Sequence, residues 1–263
     1  MVDVESDAAA EPLPVLYLDE HLVVVNKPAG WLVHRSPLDP ERTRVVLQRL
    51  RDQLGRHLWP LHRLDKGTSG TLILALDRET AERIGRSFGE AEGPARTYRA
   101  IVRGWPPDHC LIDHPLRRMA DDQGHRRQEI LPAQTRLRTL ARGSLPIAQG
   151  SFPSLRWAEV ALEPLTGRRH QLRRHMKHIA HPIIGDATHG KGPLNRSVAA
   201  HLGCQRLWLH AASLELRDPW SGASILVDAP CGLEWRCWQD NDRAAVALLD
   251  GSGAQTRRPG STL

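Results

Sequence analysis

The chain has few cysteines, Cys110, Cys204, Cys231 and Cys237, and no two of them form a Cys-x-x-Cys pair. Neither a zinc ribbon nor a thioredoxin-like redox motif is therefore indicated, and reduced thiols in a cytoplasmic protein are expected. No apolar run approaches the roughly 20 residues that a membrane-spanning helix requires. The N-terminus carries Asp3, Glu5 and Asp7 instead of the basic and apolar blocks of a secretory signal, so neither a signal peptide nor a membrane span is expected. There is no Gly-rich phosphate loop. Phenylalanine and tyrosine are scarce, two of each against eight tryptophans. Several tryptophans adjoin Pro or Gly, as in Gly104-Trp105-Pro106 and Pro219-Trp220, and are expected to anchor loops and core.

What is present suits a globular protein. With 263 residues and 40% hydrophobic side chains the chain can build one large domain or two small ones. Thirty-six Lys and Arg against thirty Asp and Glu leave a net charge of +6, mostly as arginine, whose planar fork pairs well with phosphate. A polyanionic partner is consistent with this surplus. Residues 1–14 and 243–263 lack apolar periodicity and read as flexible ends around a domain at 15–242.

Within that domain, Val15–Leu18 and Leu22–Val25 read as a hairpin. Val46, Leu47, Leu50 and Leu54 follow helical spacing, with Gly55 as the stop. Leu72–Leu76 reads as a buried strand, followed by a helix with Ala81, Ile84 and Phe88 on one face that closes near Gly93. Thr97–Arg103 and Trp157–Glu163 alternate as strands, whereas the Pro-, Arg- and Gln-rich stretch 105–155 yields no confident elements. Leu172, Met176 and Ile179 mark a helix that Pro182 must end, and Leu207–Leu216 and Ser224–Val227 form a last strand pair. Neighbouring hairpins with a few helices between them predict an α+β fold with a mixed, mostly antiparallel central sheet.

Two segments carry chemistry. In His62-Arg63-Leu64-Asp65-Lys66-Gly67-Thr68-Ser69-Gly70 an acid lies between cations in a polar loop, an arrangement that keeps a carboxylate ionised in a partly dry cleft. An Asp that merely caps a surface turn would look similar. In Thr166-Gly167-Arg168-Arg169-His170-Gln171-Leu172-Arg173-Arg174-His175 four arginines cluster at a strand-to-helix junction, where backbone N–H groups also favour an anion. A solvated basic helix face is the alternative. His175, His178 and His181 stand three apart, but no Cys or acidic ligand accompanies them and Arg173, Arg174 and Lys177 would repel a divalent cation, so no metal site is assigned.

His-Arg-Leu-Asp followed by Thr-Ser-Gly, with Gly-Arg-x-His-Gln-Leu-Arg-x-His downstream, resembles the RluA-type pseudouridine synthase family. The resemblance continues, in the family's order, through Asn26–Gly30, Thr97–Gly104, His181–Asp186 and Leu209-His210-Ala211, and covers roughly residues 15–230. The doubled arginines 168–169 and 173–174 are most similar to the branch of that family that acts on uridine 65 of tRNA, a nucleotide number unrelated to Asp65. Gly67, Arg169 and Leu172 depart from the commoner residues of the family, and 105–155 matches little of it.

The resemblance implies that Asp65 is the catalytic carboxylate, Arg173 its ion-pair partner, and Tyr98 the ring packed on the target base and a candidate to take the C5 proton. Arg63 would enter the RNA when the nucleotide leaves. His62, Lys66, Arg168, Arg169, His170, Gln171 and Arg174 are expected to contact RNA. Isomerising uridine exchanges the N1–C1′ bond for C5–C1′, which needs no redox carrier and no energy source, so no cofactor is expected. The expected partner is RNA, most of all tRNA, because no appended N-terminal RNA-binding domain precedes residue 15. A synthase acting on ribosomal RNA, or on both RNAs, is the enzymatic alternative. A silent RNA-binding protein of the same fold is the other, and the presence of Asp65, Tyr98 and Arg173 argues against it.

Overall fold

Leu22, Val23, Val24 and Val25 are all buried, which requires a strand covered on both faces. The period of two divides them: Val23 and Val25 enter one hydrophobic cluster with Leu72 and Leu74, while Leu22 and Val24 enter another with Ile73 and Ala75. A computed structural model describes residues 12–36, 39, 43–88, 93–119 and 129–238. The strands are β1 Val15–Leu18, β2 Leu22–Lys27, β3 Trp59–Pro60, β4 Ser69–Ala75, β5 Ala95–Arg103, β6 His109–Asp113, β7 Leu116–Arg117, β8 Ile130–Leu131, β9 Gln134–Leu145, β10 Leu155–Pro164, β11 Leu209–Arg217 and β12 Ser224–Asp228. The helices are α1 Val46–Leu54, α2 Arg78–Ser87, α3 Gln171–His178 and α4 Gly192–Leu202.

Among the described residues ten strands form one sheet along the path β1-β2-β4-β11-β5-β10-β9-β6, with β12 on β11 and β3 on β4. Its strand pairs are antiparallel except β4 with β11, so the fold is α+β with a mixed, mostly antiparallel sheet. One row of paired residues crosses the sheet beneath the cleft described below: Lys27, Gly70, Ala211, Tyr98, Leu162 and Leu137. At Gly70, where φ is 108°, a Cβ would lie 2.1 Å from the Ala211 carbonyl oxygen, so only glycine permits this approach of β4 to β11.

Local signals explain the helix ends. Gly55 takes the left-handed conformation that stops α1, and Asp77 caps α2 by accepting the Thr80 N–H. Residues 89–92, over which the helix was expected to run toward Gly93, lie outside the described residues; α2 itself ends at Ser87. α3 ends four residues before Pro182.

Three differences from the sequence reading have physical causes. The stretch 105–155 holds β6, β7, β8 and the long β9, whose alternation is masked because its outward positions include Arg136, Arg138 and Arg142. Helix α4 was not foreseen, since Val198 is its only fully buried residue and no apolar stripe marks it. Leu13, assigned to the flexible N-terminus, is buried, and its backbone N–H and carbonyl bond the Gln53 side-chain amide. Pro14 is also held, its carbonyl accepting the Asn26 N–H, while residues 1–11 and 243–263 of the expected flexible ends lie outside the described residues. Trp157, Trp208, Trp235 and Trp238 form a third cluster, with edge-to-face contacts of 5.2–5.5 Å, while the half-exposed Trp105 and Trp220 lie under Arg156 and Arg83.

Candidate active site

The loop 61–68 leads into β4, and the turn 165–170 follows β10 and opens α3. Strands β4 and β10 run in the same direction, but the sheet is staggered so that Gly70 at the start of β4 shares a row with Leu162 near the end of β10, and Asp65 and Arg173, 108 residues apart, meet: Arg173 Nη1 donates to Asp65 Oδ2 at 2.7 Å. Arg173 also forks onto Asp186, with Nε to Oδ2 at 2.7 Å and Nη2 to Oδ1 at 2.8 Å. Burial opposes the guanidinium charge, but the bonds to Asp186 and Asp65 outweigh it and raise the Arg173 pKa above its usual value. For the almost fully buried Asp186, burial pushes upward and Arg173 with the His189 and Thr188 N–H groups pulls harder downward, so the carboxyl stays below the usual carboxylate range.

The Asp65 loop is braced from below. Lys27 is fully buried and its Nζ donates to the carbonyls of Pro28, Trp31 and Lys66, at 2.9, 2.8 and 3.2 Å. Burial lowers its pKa to about 7 against the opposing pull of Asp65. The Gly30 N–H also donates to the Lys66 carbonyl, and the Thr68 N–H to that of Asp65. The Asn26–Gly30 segment therefore acts as a clamp on the acid's loop, which explains why a lysine can be buried there.

Two cavities adjoin Asp65. One, of about 270 Å³, is lined by Leu64, Tyr98, Pro164, Leu172 and Leu209 with Arg96 and Arg173 at its polar side. Its apolar wall suits a flat heterocycle, and Arg63, Asp65, Arg96, Arg168, Arg169 and Arg173 give the rest of its lining a charged character. Tyr98 is buried, and burial raises its phenol pKa, so the ring enters the cavity neutral. The other, of about 500 Å³, lies between His34 and Lys66 on one side and Ala187 and Thr188 on the other. A third cavity, of about 360 Å³, is lined by Arg63, Arg117, Arg118, Arg168, Arg169 and Arg174, where the β7–β8 hairpin faces the start of α3.

The residues expected at the site fall into three groups. Asp65, Tyr98 and Arg173 share the apolar cavity; Arg63, Arg168 and Arg169 reach both it and the arginine-lined one, and Arg174 reaches the latter alone. Lys66 is turned onto Asp39, 2.8 Å away, and both line the cavity of about 500 Å³. Gln171 is buried and is a brace: it accepts from Thr166 and the Arg168 N–H and donates to the Gln134 carbonyl and Thr135. His62 lines none of the three cavities; its Nε2 accepts the Ile73 N–H at 3.2 Å and its ring stacks on Phe88. His175 bonds Thr135 and the His114 carbonyl, His178 stacks on His114, and His181 bonds the Arg103 carbonyl, so these three rings turn to separate partners.

Sequence reasoning did not single out Asp186, Arg96, Arg117, Arg118 or His189. Asp186 had one available signal, an acid directly after the apolar pair and glycine of Ile183-Ile184-Gly185, where a buried carboxylate demands a cation.

The family model described as RNA pseudouridylate synthase matches residues 21–178. "tRNA pseudouridine synthase C" of Salmonella typhimurium is 45% identical over 85% of this chain and 87% of its own length, and that of Vibrio cholerae is 45% identical over 85% and 93%. The protein of the same name from Pectobacterium carotovorum is 46% identical, and the match spans 60% of its length. Among solved structures, human RNA Pseudouridylate Synthase Domain Containing 1 aligns with a TM-score of 0.66 at 27% identity, covering 84% of each chain. Human RNA Pseudouridylate Synthase Domain Containing 4 aligns at 0.65 and 26%, covering 88% of this chain and 93% of its own. With the matched segment running through the Asp65 loop, Tyr98 and Arg173, this chain belongs to the RNA pseudouridylate synthase family.

Proposed function

We propose that the chain isomerises a uridine of tRNA to pseudouridine, that the target is uridine 65, and that it acts in the cytoplasm. The observation that carries the reading is the Asp65 carboxylate, ion-paired to Arg173 at the wall of an apolar cavity that also holds Tyr98. The relatives named tRNA pseudouridine synthase C support the choice of RNA.

A uridine inside folded RNA must leave its stack to reach that cavity, at a cost of a few kcal/mol. Tyr98 offsets part of this by packing on the base, worth about 1–3 kcal/mol. The arginines 63, 117, 118, 168, 169 and 174 hold the flanking phosphates. Asp65, held by Arg173, acts at the sugar as nucleophile or base while the N1–C1′ bond breaks. The uracil turns, C5 bonds to C1′, and the C5 proton is lost as N1 gains one, so the reaction is an isomerisation with no net reagent. The Tyr98 phenol is neutral, so it moves the C5 proton as a relay, its oxygen taking that proton as its own O–H proton passes to water, while N1 takes one up.

Pseudouridine mapping of total RNA from cells with and without the gene tests this directly. Loss of pseudouridine at tRNA position 65 is expected. Loss confined to ribosomal RNA would reject the substrate, and an unchanged map would reject the activity.

A further inference from the structure

Asp65 has two oxygens, and Arg173 covers only Oδ2. Oδ1 faces His170, whose Nε2 lies 3.7 Å away. His170 is the N-cap of α3 and sits at φ 54°, a left-handed conformation costly to a residue with a Cβ. Its side chain is only 14% exposed and lines both cavities that adjoin Asp65. The other ring nitrogen, Nδ1, is 3.1 Å from His189 Nε2. The backbone N–H of His189 donates to Asp186 Oδ1, and Asp186 holds Arg173. The contacts thus form a ring, Asp65–Arg173–Asp186–His189–His170, that leaves one oxygen of Asp65 and returns to the other.

We propose that His170, held by His189, is a positioning residue for Asp65: its Nε2–H restrains the Oδ1 oxygen that Arg173 leaves uncovered. The inference rests on Asp65 being the reacting carboxylate. Electrostatics selects the tautomer. A lone pair on Nε2 would face a carboxylate oxygen and repel it, whereas Nε2–H attracts it and leaves Nδ1 to accept from His189 Nε2–H. His170 is also neutral: burial lowers its pKa to about 4, Asp65 opposes this, and Arg173, His189 and Arg169 reinforce it. A neutral donor restrains the oxygen without forming a second full ion pair that would blunt its reactivity. The 3.7 Å gap closes to hydrogen-bond length when substrate fills the cavities, as catalytic contacts commonly tighten on binding.

His170→Ala, His170→Gln, His189→Ala and His189→Gln, each with a melting curve, are compared with the parent chain in single-turnover isomerisation and RNA binding. His170→Ala is expected to slow the chemical step by about tenfold to a hundredfold, the scale of a misplaced reacting group, with RNA affinity within about twofold. His170→Gln, which keeps an N–H donor, recovers most of the rate, and His189→Gln recovers more than His189→Ala. Weakened RNA binding with an unchanged rate constant would make His170 an RNA contact and overturn the proposal, as would parental rates in His170→Ala. The His189 pair decides the matter if His170→Ala does not fold. Long-range proton–nitrogen NMR of the free protein is expected to show His170 protonated on Nε2. An Nδ1–H tautomer overturns the proposal whether or not the chain modifies RNA, which separates its failure from failure of the proposed activity.

Discussion

The Arg173 guanidinium binds Asp186 through two nitrogens and Asp65 through the third, so its grip on Asp65 depends on an acid that lines only the larger of the two cavities beside it. Asp186 is 1% exposed. Arg173→Ala leaves that carboxylate buried without its cation, and breaking one side of a buried pair costs about 3–5 kcal/mol. Arg173→Lys keeps the charge but not the fork, so it is expected to fall between the parent and Arg173→Ala in urea stability. Equal stability of all three chains would show that the fork contributes nothing to folding.

Asp65→Asn preserves size and most hydrogen bonding but cannot serve as nucleophile or base. Product formation is expected to vanish while RNA affinity, set by phosphate contacts and therefore salt-sensitive, changes little. Single-turnover isomerisation beside filter binding at several salt concentrations measures both. Parental product from Asp65→Asn would overturn the mechanism.

Tyr98→Phe retains the ring against the base but removes the phenolic oxygen. Binding should persist within a few-fold and product formation should stop. Full turnover would confine Tyr98 to packing, a role its place in the sheet row between Ala211 and Leu162 already gives it.

Arg117 is exposed on the β7–β8 hairpin and faces the arginines at the start of α3. Arg117→Ala is expected to weaken binding alike for all tRNA sequences and to lower the slope of log affinity against log salt by somewhat under one, as for a single phosphate contact. Sequence-selective weakening would instead assign Arg117 to base recognition.

The legible parts of this chain are those where one physical signal dominates. The buried run Leu22–Val25, the Gly55 stop and the paired strands around 218–222 follow from burial and turn chemistry alone, and the structure has them within a few residues. Strand β9 and helix α4 were hidden because arginines occupy the outward positions of one and nothing apolar marks the other. For the cleft, the two basic segments were readable as segments, but their meeting depends on strand order and register together, which local sequence does not encode. His62 and Gln171 were expected to contact RNA; in the fold each satisfies buried backbone groups, which a sequence position cannot reveal.

His62, His175 and His210 are neutral rings inside the fold, and burial is the largest cause lowering each pKa, for His62 to about 3. Each has an acceptor nitrogen in use: His62 takes the Ile73 N–H, His175 the Thr135 hydroxyl and His210 the Ser69 hydroxyl. In the unfolded chain the same rings titrate near 6.5. Because the folded values lie below the unfolded one, the unfolded state binds more protons as pH falls below about 6.5, and stability drops with it. Above about 6.5 the contribution is fully present. Urea midpoints are therefore expected to decline between pH 7 and pH 4.5, before most carboxylates titrate. His62→Gln keeps an oxygen to accept the Ile73 N–H but cannot take up a proton, so its stability should depend less steeply on pH, by at most about 1.4 kcal/mol per pH unit. An unchanged slope in His62→Gln would mean that His62 is protonated within the fold at mildly acidic pH and that its stacking on Phe88 does not require the neutral ring.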